Sequence, residues 1–230
     1  MRPGLVRPGR RYAPRVVSRE PPAAVVVPVK AFDQAKVRLA SALVPRERAD
    51  LARHMAEIVL LAADPLPAVV VCDDDEVRAW AERSGARAVW CPGRGLNGAV
   101  SDGVATLRAE GVARAIVAHA DLPLATRLDW VADFPGVTLV PDRRFDGTNV
   151  LALPTDAGFE FSYGAGSFGR HRAEAARLDL PARVVQDPHL GWDVDLPADL
   201  AYPGAPEMGT GSDEPAPVVL PTGALAHRQS

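Results

Sequence analysis

Apolar residues gather along this chain in short unbroken blocks, separated by longer stretches where they recur every three or four positions. The blocks are "AAVVVPV" (23–29), "AVVVCD" (68–73), "ARAVWC" (86–91), "ARAIVAH" (113–119), "GVTLVP" (136–141) and "NVLALP" (149–154). Blocks of this length, rich in valine and without polar alternation, predict strands covered on both faces. The intervening stretches predict helices. In "PRERADLARHMAEIVLLAAD", Leu51, Met55, Ile58, Val59 and Ala62 fall on one stripe, and Pro45 suits a first helical turn. "DDEVRAWAERSG" opens on acids and closes on Gly85, and "LNGAVSDGVATLRAEG" closes on Gly111. Strand alternating with helix predicts an α/β fold, a mostly parallel sheet sandwiched by helices.

The pattern fades at both ends. Residues 1–22 are rich in Arg and Pro and lack the continuous apolar core of a signal peptide, and 203–230 are dense in Pro, Gly and small polar residues. Two disordered tails are therefore expected around a single domain at 23–202. With 230 residues, 47% hydrophobic, the chain can bury one good core. A net charge of -3, from 26 basic and 29 acidic residues, provides no basic field, so nucleic acid is not expected as a partner. No apolar stretch is long enough to span a membrane. Cys72 and Cys91 are too far apart for a C-x-x-C pair and read as buried strand thiols, consistent with a reducing, cytoplasmic setting. A homo-oligomer stays open.

In α/β sheets ligands collect at the carboxyl ends of the strands, so the residues just beyond each apolar block are the ones to search. The first block runs into Lys30, Lys36 and Arg38 with only Asp33 to offset them. Cations placed directly after a strand predict an anion site, where a merely solvated face would intersperse both signs. "PGRGLNGAV" follows the third block, and its Gly95 would let a nucleotide approach backbone N–H groups at a helix start, with Asn97 beside a base or ribose. Asp121 follows the fourth block; it could cap a helix starting near Thr126, but is better placed as a hard oxygen ligand for Mg²⁺ carrying a triphosphate. Asp193 and Asp195, at i and i+2 of an extended segment, would share one face and suit the same metal, although Asp195 or Asp199 could simply start the short helix at Pro197. His119 and His171 are assigned no role.

Taken in order, "VPVKAFDQAKVRLA", "GLNGAV", "ADLPLAT", "FDGTNVLALP", "FSYGAGSFGRH" and "DVDLPADL" resemble the guanylyltransferases that act on phosphoenolpyruvate or 2-phospho-L-lactate in making a deazaflavin redox coenzyme. The resemblance covers about residues 23–202. It implies a nucleotidyltransferase fold of the glycosyltransferase-A type and a Mg²⁺-dependent transfer of GMP from GTP, with release of pyrophosphate. It also implies that Thr148, Gly164 and Ser167 hold the phosphoenolpyruvate-type acceptor, that Asp121 and one or both of Asp193 and Asp195 carry metal, and that Lys30 serves with Asp121 in catalysis. Val37 departs from the family's pattern where a serine is common, which removes one candidate hydrogen bond to the nucleotide. Two rival readings are a molybdopterin or sugar-phosphate nucleotidyltransferase of the same fold, whose glycine-rich first loop is missing here, and a nucleotide-binding module without catalysis, for which eroded carboxylates would be expected.

Overall fold

A computed structural model describes residues 23–205. Residues 1–22 and 206–230, where the tails are expected, lie outside the described residues. Seven strands form one sheet: β1 (Ala24–Pro28), β2 (Ala68–Cys72), β3 (Arg87–Trp90), β4 (Arg114–Ala118), β5 (Val137–Pro141), β6 (Thr148–Pro154) and β7 (Ala182–Val184). Their spatial order is β3-β2-β1-β4-β6-β5-β7. Neighbours are parallel except around β6, which runs antiparallel to both β4 and β5. The six apolar blocks are β1 to β6. The edge strand β7 is an addition that the sequence pattern did not mark.

Four helices cover the sheet: α1 (Pro45–Ala63), α2 (Asp75–Arg83), α3 (Gly95–Ala109) and α4 (Ser167–Arg177). Alternate residues of one strand serve opposite layers. Val25 and Val27 pack with Ala56 and Val59 of α1 and with Trp80 of α2. Ala24 and Val26 pack with Val100 and Val104 of α3 and share a cluster with Phe168 of α4. Both faces are thus buried, which is why the strands read as unbroken apolar blocks. The predicted stripe of α1 holds, with Met55, Val59 and Ala62 buried and Leu51 and Ile58 half-buried at its margins. On the other side α3 lies close to the sheet because Gly103 carries no side chain. A Cβ there would meet Val71 Cγ1 at 2.6 Å and Val26 Cγ1 at 2.9 Å.

Two features of the topology build a site. β1 has β2 on one side and β4 on the other, so the chain leaves it in opposite directions and opens a crevice at the carboxyl rim. Because β6 is antiparallel, its first residue, Thr148, starts at the same rim where β4 ends. A third apolar cluster of Leu39, Leu43, Met55, Val194 and Tyr202 then clamps the segment after β1 to the segment carrying Asp193 and Asp195. No helix begins near Thr126; that stretch is irregular and leads into a 3-10 turn at Asp129–Asp133, so Asp121 caps nothing there.

Candidate active site

The segment after β1 does not continue as a helix. It makes two 3-10 turns, Phe32–Gln34 and Val37–Leu39, with Lys36 between them at φ 54. A lysine in this left-handed region is uncommon and costs conformational energy that surrounding contacts must offset. Buried Phe32 and Leu39 anchor the two turns. The Lys36 side chain then reaches back across the rim. Its Nζ lies 2.6 Å from Asp121 Oδ2 and 3.1 Å from Asp195 Oδ1, and Arg38 stands 3.5 Å from the other oxygen of Asp195. Burial works to lower the Lys36 pKa, but Asp121 and Asp195 together hold it above the ordinary lysine value. Burial likewise works to raise Asp121, and the ammonium of Lys36 outweighs it, keeping this carboxyl below the usual range.

Asp193 differs from its neighbour two residues on. The backbone N–H of Val194 donates to the carbonyl of Asp121 at 3.2 Å, which lays the two acidic loops side by side. Asp193 is buried, and burial, reinforced by the charge of Asp121, pushes its pKa up to about 6. Asp195 is about two-fifths exposed and turned to Lys36 and Arg38. The pair therefore does not present two equivalent oxygens on one face, as an extended segment would.

A cavity of about 560 Å³ opens over this rim, a volume within the range of small-molecule sites. Lys30, Lys36, Arg38, Gly95, Asp121 and Asp195 all line it, together with His119 and the two cysteines. Cys72 ends β2 and Cys91 follows β3; both are free and buried, and burial raises their thiol pKa values, so they are wall rather than nucleophile. Lys30 is exposed at the mouth. Val37 is 65% exposed and forms part of the same lining.

Beside the cavity lies a second, glycine-rich corner. Asn97, in the first turn of α3, accepts the Tyr163 N–H on its Oδ1 at 2.6 Å, which ties residues 163–164 to that helix and commits this oxygen to the protein. Thr148 and Ser167 meet at the start of α4, each 1% exposed. The Thr148 N–H donates to Ser167 Oγ at 3.0 Å. His171 Nε2 accepts the Ser162 N–H at 3.0 Å, so Nδ1 carries the ring proton and donates to Thr148 Oγ1 at 3.0 Å. Both hydroxyls are thus spent inward. What this corner offers a ligand is main chain: Gly164 at φ +113 and Gly166 at φ +71, with the Arg170 guanidinium folded over the loop onto the carbonyls of Ser162 and Ala165.

A family model described as "Guanylyl transferase CofC like" matches residues 23–202. The chain belongs to this guanylyl transferase family. A phosphoenolpyruvate guanylyltransferase of Sphaerobacter thermophilus is 40% identical over 199 residues, spanning 82% of this chain and 96% of the relative. One from Streptomyces coelicolor is 37% identical over 185 residues, spanning 74% and 87%. Among solved structures, the CMP:2-keto-3-deoxy-manno-octonic acid synthetase complexed with CTP aligns at a TM-score of 0.52 with 13% identity, over 78% of this chain and 95% of that one. A cytidylyltransferase from Leptospira borgpetersenii gives 0.53 with 10% identity, over 78% and 83%. The fold is the nucleotidyltransferase fold of the glycosyltransferase-A type, and this guanylyl transferase is an enzyme of that class.

Its acidic pair fits a divalent cation. Asp121 Oδ1 and Asp193 Oδ1 are both buried without a hydrogen-bond partner, an expensive arrangement for carboxylate oxygens unless a cation satisfies them. Among the described residues no group of three or more His, Cys, Asp or Glu side chains stands ready to enclose a metal. Two carboxylates with the remaining ligands left to water and substrate phosphate is the arrangement Mg²⁺ favours.

Several residues around the cavity were given no site role by the sequence. Asp199, 1% exposed, binds Arg143 at 2.7 Å and Arg144 at 2.8 Å from the β5–β6 turn. The His119 and Tyr163 rings meet at a tilt of 48° with centroids 4.9 Å apart, His119 Nε2 and Tyr163 Oη both buried without a partner. The only sequence signal for Asp199 was its place near a helix start. Its partners lie 55 and 56 positions away, beyond any local pattern. Among the described residues no helix is long and apolar enough to cross a membrane.

Proposed function

We propose that this enzyme transfers GMP from GTP to the phosphate of phosphoenolpyruvate. A phosphate oxygen of the acceptor attacks the α-phosphorus; the bond from that phosphorus to the bridging oxygen breaks, and pyrophosphate leaves with the electron pair. The acceptor phosphate is already ionised, so no protein base is needed. The observation that carries the reading is the Lys36–Asp121–Asp195 ion-pair cluster lining the 560 Å³ cavity, since it sets cations and carboxylate oxygens around one point. The names of relatives about two-fifths identical support the choice of nucleotide and acceptor.

Each residue then has a task. Asp121 and Asp193 would hold Mg²⁺, which supplies charge neutralisation on the phosphates. Asp195 keeps Lys36 and Arg38 at the rim, where with Lys30 they meet the triphosphate and the departing pyrophosphate. Gly95 opens the start of α3 to the nucleotide, and Asn97 holds the acceptor loop against that start. Thr148 and Ser167 shape that loop from beneath, and Gly164 gives the acceptor close access to main-chain N–H groups. Catalysis rests on positioning and charge, without a covalent intermediate.

Pyrophosphate release tests the proposal directly. Purified enzyme with GTP, Mg²⁺ and, in turn, phosphoenolpyruvate, 2-phospho-L-lactate or 3-phosphoglycerate should release it fastest with phosphoenolpyruvate. Release with neither of the first two acceptors would overturn the reaction, and faster release with 2-phospho-L-lactate would overturn the choice of acceptor.

A further inference from the structure

Asp199 lies outside the cavity, yet it is bonded more heavily than any carboxylate in it. Its Oδ2 accepts the backbone N–H groups of Asp195 at 3.1 Å and Leu196 at 2.8 Å, while its Oδ1 accepts from both Arg143 and Arg144. Burial alone would raise its pKa, and these donors outweigh it and hold the group ionised. The Arg143 guanidinium sits over Trp192, its Cζ 3.7 Å from the ring centroid, and the Trp192 indole N–H donates back to the Asp199 carbonyl at 3.1 Å. The residues on both sides of Asp193 are thereby fixed, Trp192 through its ring and Asp195 through its N–H. A short helix start needs no such framework; one backbone N–H would suffice.

We propose that Asp199 is a positioning residue for the cation site: clamped by Arg143 and Arg144, it fixes the main chain of residues 192–196 and so aims the carboxylates of Asp193 and Asp195. This rests on the reading of Asp121 and Asp193 as metal ligands. Outer groups that orient metal ligands typically change metal affinity 10- to 100-fold when removed, although they never touch the ion. The same two arginines belong to the turn that leads into Thr148. One buried carboxylate therefore sets the cation loop and the start of the acceptor corner in register.

The test is Mn²⁺ binding, followed by water-proton relaxation on the full chain without substrates, for wild type, Asp199→Asn, Arg144→Met and Asp193→Asn. Asp199→Asn should weaken Mn²⁺ by about 10- to 100-fold, and Arg144→Met by a smaller factor in the same direction. In turnover, raising the metal concentration should restore most of the Asp199→Asn rate. A merely structural role would lower Tm and the active fraction but leave the affinity of the folded molecules at the wild-type value, and that result overturns the proposal. If Asp199→Asn does not fold, unchanged Mn²⁺ affinity in Arg144→Met overturns it equally. Wild-type Mn²⁺ affinity in Asp193→Asn would instead refute the metal-ligand reading beneath it.

Discussion

The Nζ of Lys36 and Oδ2 of Asp121 stand 2.6 Å apart, 85 positions distant in the chain, with both side chains largely withdrawn from water. Removing the ammonium leaves a nearly buried carboxylate with its charge uncompensated. Lys36→Met should destabilise the protein by about 2–3 kcal/mol at pH 7, read from urea unfolding. The same variant should lose roughly 10- to 100-fold in kcat/KM for GTP, while the KM for phosphoenolpyruvate stays near wild type. Wild-type GTP kinetics would remove Lys36 from the triphosphate site.

If Asp121 and Asp193 hold the metal as proposed, Asp121→Asn and Asp193→Asn should both cut turnover by orders of magnitude, because each would replace an anionic ligand with a neutral amide of the same shape. Their stabilities should differ in sign. Asp193→Asn removes a buried charge that burial and Asp121 disfavour, so the metal-free protein should gain about 1–3 kcal/mol in urea unfolding. Asp121→Asn removes the partner of Lys36 and should lose stability. Asp195→Asn, with its exposed carboxylate, should act mainly through GTP. A gain from Asp121→Asn, or a loss from Asp193→Asn, would contradict this division.

His171 gives the fold a pH dependence. Burial lowers its pKa to about 4, against about 6.5 for an unfolded histidine. The folded state therefore refuses a proton that the unfolded chain accepts. The stability this group provides is complete above pH 6.5 and declines as pH falls toward 4, by about 3 kcal/mol in all. The pH profile of unfolding free energy for wild type minus that for His171→Leu, which cannot titrate, should show that slope between those limits. A flat difference would mean that the ring takes up its proton within the fold.

Two substitutions separate loop shape from hydrogen bonding in the acceptor corner. Ser167→Ala leaves the buried Thr148 N–H without its acceptor and should cost about 1–3 kcal/mol of stability while raising the KM for phosphoenolpyruvate. At Gly164 there is space for a side chain, since the nearest atom to a built Cβ is Arg170 Nη2 at 3.9 Å, but φ +113 is a conformation that valine resists. Gly164→Val should therefore act through the backbone, by about 1–3 kcal/mol of strain, and raise the acceptor KM more than Ser167→Ala does. Initial rates over a grid of both substrates decide it. A rise in the GTP KM alone would move this loop to the nucleotide.

The sheet was legible because burial on both faces writes itself as valine and alanine blocks; β7 was not, since its residues 182–184 are exposed or half-exposed at an edge. The helix α4 was missed for a different reason. Its buried positions Phe168, His171 and Ala175 have helical spacing, but one is a histidine and the opening "GAGSFG" reads as loop. In the candidate site, Lys30, Lys36, Arg38 and Asp121 drew attention because they follow strand ends, and Asp193 and Asp195 because of their i, i+2 spacing. Which oxygen faces which partner could not be read. Asp193 and Asp195 share type and neighbourhood, and only the tertiary placement of Lys36, Arg38 and Asp121 divides them. Asn97 was picked out as a nucleotide contact at a helix start, and Thr148 and Ser167 only through the family resemblance, while their internal hydrogen bonds come from chain segments 19 to 66 positions away.

The reversed direction of β6 divides the proposed site between separate stretches of chain. Its opening residues arrive at the rim from the turn at 142–147, whereas Lys30, Lys36 and Arg38 arrive from the segment after β1. On the proposed roles, residues 142–148 and 160–167 would serve the acceptor, while the segment after β1 would serve the nucleotide. The joint between the acceptor loop and the start of α3 is the Asn97 amide, whose hold on Tyr163 is the stitch. A change of acceptor at these segments would therefore have to keep this stitch and the two arginines, Arg143 and Arg144, that grip Asp199.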